Sequence, residues 1–160
     1  MNIQFLNQNE KNKITEKLKE QFGIEKIPFN LIKIGQERIM AISEKIKKEE
    51  IEKIQNIAFI EGIGVYFAKE IENEIRLSIE GTHLLKEQIS KNIFELNEKQ
   101  AEQWMQGNEL NLSTGKKGFI IIKFNDDFLG TGKASENKIG NFIPKNRRLK
   151  AREFNYQYLQ

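Results

Sequence analysis

A group of cations near the end of the chain is the clearest set of residues whose types and spacing suit one kind of chemistry. Five basic side chains fall within eight residues: Lys145, Arg147, Arg148, Lys150 and Arg152. A guanidinium offers a planar fork of donors that fits a phosphate, and an ammonium adds a mobile point charge. Residues 116–152 hold ten basic and three acidic residues, whereas residues 1–115 hold sixteen basic and nineteen acidic. This concentration of charge predicts a polyanionic partner, with a solvated basic terminus as the alternative.

Residues suited to acid–base, nucleophilic or metal chemistry are sparse by comparison. The single histidine, His83, lies in the apolar-flanked run THLL, which indicates a surface or capping position. Asp126 and Asp127 are adjacent between two predicted strands, a placement typical of turn formers. Cysteine is absent, so thiolate nucleophiles, thiolate metal sites and disulfides are excluded. We therefore expect no catalytic residues, no metal and no cofactor.

The first half of the chain alternates short helical and strand patterns. Ile14, Leu18 and Phe22 recur at a spacing of four and predict a helix from residue 9 to 22, ended by Gly23. The patterns further along predict a hairpin over 31–43, a short helix over 47–55 with Ile51 and Ile54 in a stripe, and strands over 57–60 and 65–68. Together they indicate a small α+β domain over residues 1–72.

The second half, residues 73–160, contains mostly short strands. Its helices are predicted over 80–89, with Leu84 and Leu85 buried, and from the N-cap Asn97 to Gly107, with Trp104 in the core. Strands are predicted over 75–79, 92–96, 119–124, 128–134 and 138–143, with an edge-type strand over 110–112. Several short strands at this spacing predict a small β-barrel or open sheet.

Glycines, lysines and aromatics in this second half are candidates for contact with a ligand. Gly130 and Gly132 flank Thr131 in a predicted strand. This pattern favours a bulge or a corner of the sheet, and the alternative is that the glycines let the backbone of a ligand come close. Lysines in or beside the strands predict a basic face: Lys116, Lys117, Lys123, Lys133 and Lys138. Phe142, Tyr156 and Tyr158 could stack on unpaired bases. The pattern favours core packing for Phe142 and a final strand for the tyrosines.

Four segments together resemble the PUA-like RNA-binding domain: RLSIEGTHLL (76–85), NIFELNEKQAEQWMQG (92–107), GFIIIKFNDDFLGTGK (118–133) and NFIPKNRRL (141–149). More narrowly, they are similar to the version that ends the Sun/Fmu-type ribosomal RNA cytosine methyltransferases and to stand-alone ribosome-biogenesis proteins. The resemblance implies a pseudo-barrel of mixed strands with two short helices, preceded by a small α+β domain. It also implies that the protein binds structured RNA.

The resemblance assigns motif positions to particular residues of this chain. Gly81, Gly130 and Gly132 match glycines of the domain, and the closing motif is matched by Asn141, Pro144, Lys145, Arg147 and Arg148. The related enzymes require a cysteine nucleophile and a loop for S-adenosylmethionine on a doubly wound sheet. This sequence has no cysteine, and its GxG at residues 62–64 lacks a βαβ unit around it.

The sequence thus predicts a non-catalytic RNA-binding protein of ribosome biogenesis, with ribosomal RNA as the favoured partner and transfer RNA as the second. The candidate RNA-binding residues are Lys116, Lys117, Gly130, Gly132, Lys133, Lys138, Asn141, Lys145, Arg147, Arg148, Lys150 and Arg152. One alternative is an RNA-targeting subunit for a separate methyltransferase, and another is a protein adaptor that uses the acidic first half without RNA. The lack of a signal-like or membrane-length apolar run predicts a cytoplasmic location without a membrane partner.

Overall fold

A computed structural model of the chain describes residues 2–150 and divides into two compact units, Met1–Ile89 and Ser90–Gln160. The elements of the first unit are β1 (Ile3–Phe5), α1 (Gln8–Phe22), β2 (Asn30–Ile34), β3 (Arg38–Ile42), α2 (Lys48–Ile57), β4 (Val65–Ile71), β5 (Glu74–Leu77) and α3 (Ile79–Leu84), followed by a 3-10 turn at Lys86–Gln88. Its strands form one antiparallel sheet in the order β1-β2-β3-β4-β5. The α+β class predicted for this half is confirmed.

Helix α1 forms where the apolar spacing predicts it. Asn7 caps its first turn in a capping box with Glu10, and Gly23 ends it in the left-handed conformation with φ of 78°. The three apolar residues spaced four apart, Ile14, Leu18 and Phe22, are all buried. The predicted hairpin is also confirmed, since β2 and β3 pair in antiparallel register.

Three predictions for the first unit differ from the structure. The strand predicted over 57–60 is wrong, because α2 continues to Ile57 and the Ala58 N–H donates to the Ile54 carbonyl. Leu84 was expected to be buried but is 45% exposed, and Ile54, expected to form a stripe with Ile51, is 51% exposed while Ile51 is buried. The division between the units falls after Ile89 rather than after residue 72, because β5 pairs with β4.

The second unit is built around a four-stranded mixed sheet. Its elements are β6 (Ile93–Glu95), α4 (Glu98–Met105), β7 (Gly118–Phe124), β8 (Asp127–Ala134) and β9 (Ile139–Gly140), followed by a 3-10 turn at Lys145–Arg147. The strand order is β6-β7-β8-β9, with β6 parallel to β7 and the other pairs antiparallel. Helix α4 makes the crossover that the parallel pair requires.

Two strands of this unit are shorter than predicted. The edge strand expected over 110–112 is a single bridge between Leu110 and Ile139. The strand expected over 138–143 pairs only at Ile139 and Gly140. It ends there because the side chain of the next residue, Asn141, hydrogen-bonds to the end of α4 instead of continuing along the sheet.

Trp104 fixes α4 against the sheet. Its side chain is fully buried, as predicted, and its indole N–H donates to the Leu129 carbonyl of β8 at 3.0 Å. Strand β8 bulges there, because Leu129 and Gly130 together face one residue of β7 and Gly130 has φ of 86°. A Cβ on Gly132 would lie 2.5 Å from Ile139 Cγ2 and 2.9 Å from Trp104 Cη2, so packing excludes any larger residue.

No helix within residues 2–150 is long and apolar enough to cross a membrane.

Glu70 forms two partly buried salt bridges in the first unit. Its two carboxylate oxygens contact Lys17 Nζ at 2.8 Å and Lys33 Nζ at 3.1 Å, so one acid joins α1 and β2 to β4. The hydrogen bond from Lys17 lowers the pKa of Glu70, and the bond from Lys33 lowers it further against an opposing effect of burial. The folded protein therefore holds this carboxylate in its charged form more firmly than the unfolded chain does.

We predict that Gly132→Ala destabilises the second unit by about 1–3 kcal/mol, because the added methyl overlaps Ile139 and Trp104. Gly140→Ala on the neighbouring strand is the matched control, since its Cβ would meet only Lys133 atoms at 3.7 and 3.9 Å. Urea unfolding followed by the fluorescence of Trp104, the one tryptophan in the sequence, measures both. Equal unfolding midpoints for the two variants would show that the Gly132 contact is not needed.

We also predict that Glu70→Gln lowers stability at neutral pH and that this difference shrinks in acid. Because the folded pKa of Glu70 is lowered, its stabilisation is present above the unfolded pKa and is lost as pH falls through the folded pKa. Urea unfolding followed by circular dichroism across the acidic range tests this, with Glu44→Gln as an exposed, charge-matched control. A difference between parent and Glu70→Gln that stays constant down to strong acid contradicts the prediction.

Candidate nucleic-acid interface

Four lysines gather at one end of the second sheet. The register places Gly118 of β7 opposite Ala134 of β8, and Ala134 opposite Ile139 of β9. The residues next to these positions are basic: Lys116, Lys117, Lys133 and Lys138, which we call the sheet-end cluster. Four of the lysines predicted to form a basic face thus lie near this end of the sheet, and Lys123 lies toward the other end of β7.

The members of the sheet-end cluster differ in their surroundings. Lys138 is bound to Glu109 at 3.0 Å, which offsets its charge. Lys133 is exposed and places its ammonium 5.0 Å from the centre of the Phe119 ring. Lys117 is exposed, and Lys116 is half-buried beside a turn in which its backbone N–H donates to Thr114 Oγ1.

A second group of cations lies in the segment from Asn141 to Leu149, which we call the closing segment. This segment is hydrogen-bonded to the last turn of α4, where backbone carbonyls have no N–H partner within the helix itself. The Leu149 N–H donates to the Met105 carbonyl at 2.9 Å. Arg148 lies against Gly107, the left-handed residue after α4, and its Nε donates to the Ile143 carbonyl at 3.1 Å.

Both polar atoms of the Asn141 side chain form hydrogen bonds within the second unit. Its Nδ2 donates to the carbonyls of Trp104 at 2.8 Å and Asn108 at 2.9 Å. Its Oδ1 accepts from the Ile143 N–H at 2.8 Å. This residue was a candidate for RNA contact on the resemblance, and its geometry gives it a structural part in holding the closing segment on α4.

Lys145 and Arg147 lie on the exposed 3-10 turn of this segment, and Lys150, directly after the segment, is also exposed. Arg148 is exposed as well, but one donor of its guanidinium, Nε, is hydrogen-bonded to the Ile143 carbonyl. Arg152, Tyr156 and Tyr158 lie outside the described residues. The sites best placed to meet a phosphate backbone are thus on the 3-10 turn and in the sheet-end cluster.

Gly130 and Gly132 are buried, so the structure favours the bulge interpretation over ligand contact. Gly81 is also required by packing, because a Cβ there would meet the Phe67 carbonyl. Asp126 lies in the two-residue turn between β7 and β8, and Asp127 begins β8, as expected of turn formers. His83 is exposed on α3. Residues 2–150 include no group of three His, Cys, Asp or Glu residues that could hold a metal ion.

Phe142 was assigned to the core, and this assignment is wrong. Its side chain is 38% exposed, and its ring packs edge-on against the buried Phe119 with 6.1 Å between centroids. The alternation that places Ile143 inside turns Phe142 outward once the chain leaves β9. Phe142 faces outward because β9 ends at Gly140. The sequence pattern does not show where strand pairing stops, so it could not predict this orientation.

Comparison with known proteins identifies the class of the second unit. Residues 91–149 match the family model described as the methyltransferase RsmF PUA domain. The second unit therefore contains a PUA-like domain that resembles the C-terminal domains of the Sun/Fmu family, as the sequence resemblance predicted. Its mixed sheet fits the pseudo-barrel of that class, and such domains bind RNA. No curated protein matches the chain.

We predict that Asn141→Asp destabilises the second unit by about 1–3 kcal/mol, because a carboxylate oxygen would face the two carbonyls that Nδ2 now joins. Asn137→Asp adds the same charge at an exposed loop position and serves as the control. Urea unfolding followed by Trp104 fluorescence measures the change. If the two variants unfold at the same urea concentration, Asn141 does not hold the closing segment.

Proposed function

We propose that the protein binds RNA through its PUA-like unit and does so without catalysing a reaction on it. The observation that carries this proposal is the PUA-domain match over residues 91–149, combined with exposed cations in the same unit. Residues 90–160 hold twelve basic and eight acidic residues, against fourteen and fifteen in residues 1–89. An RNA ligand would therefore be attracted to the second unit in preference to the first.

Ribosomal RNA is the partner that we favour, because the matching domain comes from a methyltransferase family and the sequence resembles that of ribosomal RNA enzymes. Transfer RNA is the second possibility. A role in ribosome biogenesis follows if the bound RNA is a ribosomal precursor. The absence of cysteine removes the nucleophile that those enzymes use, which supports a binding role for this chain.

The mechanism rests on contacts to the phosphate backbone. Lys117 of the sheet-end cluster and Lys145 and Arg147 of the 3-10 turn are exposed. Cations that contact phosphates release condensed counterions, so the binding constant falls as the salt concentration rises. Shape and phosphate contacts would then set the affinity, as is usual for recognition of folded RNA.

Replacing Lys117, Lys145 and Arg147 together by Gln is expected to weaken RNA binding by at least about tenfold at moderate salt. Each phosphate contact contributes about 0.7 to 0.9 to the slope of log binding constant against log salt concentration, so the slope should fall by about 2 to 3. Filter binding with total ribosomal RNA at several salt concentrations measures both quantities. Circular dichroism checks that the variant is folded.

The matched control replaces three exposed lysines of the first unit, Lys13, Lys26 and Lys53, by Gln. It removes the same charge from the protein, so it separates local contacts from the effect of net charge. The proposal expects this control to keep the parent's salt slope. Equal loss of binding in both triple variants would mean that the second unit's cations are not the site.

A protein partner for the first unit is a second candidate function, favoured by one observation. Ile57 and Phe59, at the end of α2 and just beyond it, are 86% and 81% exposed. Large apolar side chains this exposed and this close together often mark a surface for another protein. This surface suits the targeting-subunit hypothesis, in which a separate methyltransferase binds the first unit while the second holds RNA. Pull-down of the RNA-free protein with such an enzyme, before and after Ile57→Ser, tests it.

A further inference from the structure

Three residues on neighbouring strands lie side by side on one face of the second sheet. Phe119 of β7 is opposite Lys133 of β8, and Lys133 is opposite Gly140 of β9. Directly opposite residues of antiparallel strands project from the same face of a sheet. Phe142, two residues beyond Gly140, reaches the same face, since its ring contacts that of Phe119.

These side chains combine an exposed aromatic ring with a cation. Phe142 is 38% exposed, whereas Phe119 beneath it is 4% exposed, so the buried ring supports the exposed one. The two rings meet edge-on, at an interplanar angle of 63°. Lys133 holds its ammonium 5.0 Å from the Phe119 ring centre.

Gly140 is the least expected member of this row. Its φ is not positive, and a Cβ there would meet only the Lys133 carbonyl at 3.7 Å and Lys133 Cβ at 3.9 Å, which are ordinary contacts. Gly132 is different, since Ile139 and Trp104 crowd it. Within residues 2–150, neither backbone conformation nor packing requires a glycine at 140. Strand glycines mark bulges, tight bends or places where a ligand or another backbone comes close to the strand, and the last of these fits the uncrowded position of Gly140.

We propose that Phe119, Lys133, Gly140 and Phe142, which we call the Gly140 platform, bind one unpaired nucleotide of an RNA. The base stacks on the exposed part of Phe142, the phosphate lies near the Lys133 ammonium, and the sugar–phosphate chain passes over Gly140. The inference rests on the proposed RNA-binding function and adds a particular subsite to it.

The chemistry of the platform favours an unpaired nucleotide over a duplex. The bases of a duplex are stacked on one another, so they cannot stack on the ring of Phe142. An unpaired base can do so, because it has left its own stack. A single cation beside one ring also fits one phosphate and one base. A duplex would instead meet the cations of Lys117, Lys145 and Arg147 through its backbone.

The test compares two fluorescently labelled probes by anisotropy: an unstructured single-stranded RNA of about twelve nucleotides, a length within typical single-strand site sizes, and a blunt duplex that contains the same strand. Phe142→Leu keeps an apolar side chain but removes the ring. We expect it to weaken single-strand binding about five- to a hundredfold and to leave duplex binding unchanged. Phe142→Trp should retain single-strand binding, because indole also stacks.

Two further variants test the other members of the platform. Gly140→Val fills the space over the strand and should weaken single-strand binding, whereas Gly62→Val, at a glycine with nothing within 4 Å of its Cβ position, should not. Lys133→Gln should lower the single-strand salt slope by about 0.7. Thermal unfolding of each variant shows whether it is folded. If Gly140→Val does not fold, the single-strand affinity of Phe142→Leu decides whether the platform binds RNA.

The outcomes separate the platform from the proposed function. If the parent binds RNA and loses affinity on removal of Lys117, Lys145 and Arg147, but Phe142→Leu binds the single strand as the parent does, the platform is wrong and the RNA-binding function stands. If the parent binds neither probe at low salt, both are wrong. Loss of single-strand affinity in Phe142→Leu with retention in Phe142→Trp supports the platform.

Discussion

The packing of Trp104 is the interaction on which the second unit depends. The indole lies against Gly132 of β8 and donates to the carbonyl of Leu129, which is one of the two bulge residues of the same strand. The backbone carbonyl of Trp104 accepts from Asn141, which begins the closing segment. One residue thus joins the helix, the bulged strand and the segment that carries Lys145 and Arg147. The position of the segment that carries Lys145 and Arg147 therefore depends on Trp104.

Local patterns in the sequence were sufficient for the elements that depend on local interactions. Helix α1 follows from its apolar spacing, its capping box and Gly23, and α4 follows from Asn97 and Gly107. Burial of Trp104 also follows from its place on an amphipathic helix. Each of these features is encoded within a few residues, where propensity and capping act.

Features set by distant contacts were predicted less well. The exposed side of Phe142 depends on where β9 stops pairing, and Asn141 sets that point by reaching residues more than thirty positions earlier in the chain. Asn141 and Gly132 matched motif positions of an RNA-binding family. In the structure the Asn141 side chain is hydrogen-bonded within the unit, and Gly132 is tightly packed. A motif position records that a residue type is needed there, and only the fold shows whether the need comes from the ligand or from the structure.

The proposed RNA-binding role of the second unit is tested most directly by photo-crosslinking. The full protein would be irradiated with a 4-thiouridine-labelled RNA, and the crosslinked peptides would be identified by mass spectrometry. If the second unit binds the RNA, crosslinks are expected within residues 115–150, centred on Lys133, Phe142 and Lys145. Crosslinks confined to residues 1–89 would contradict it.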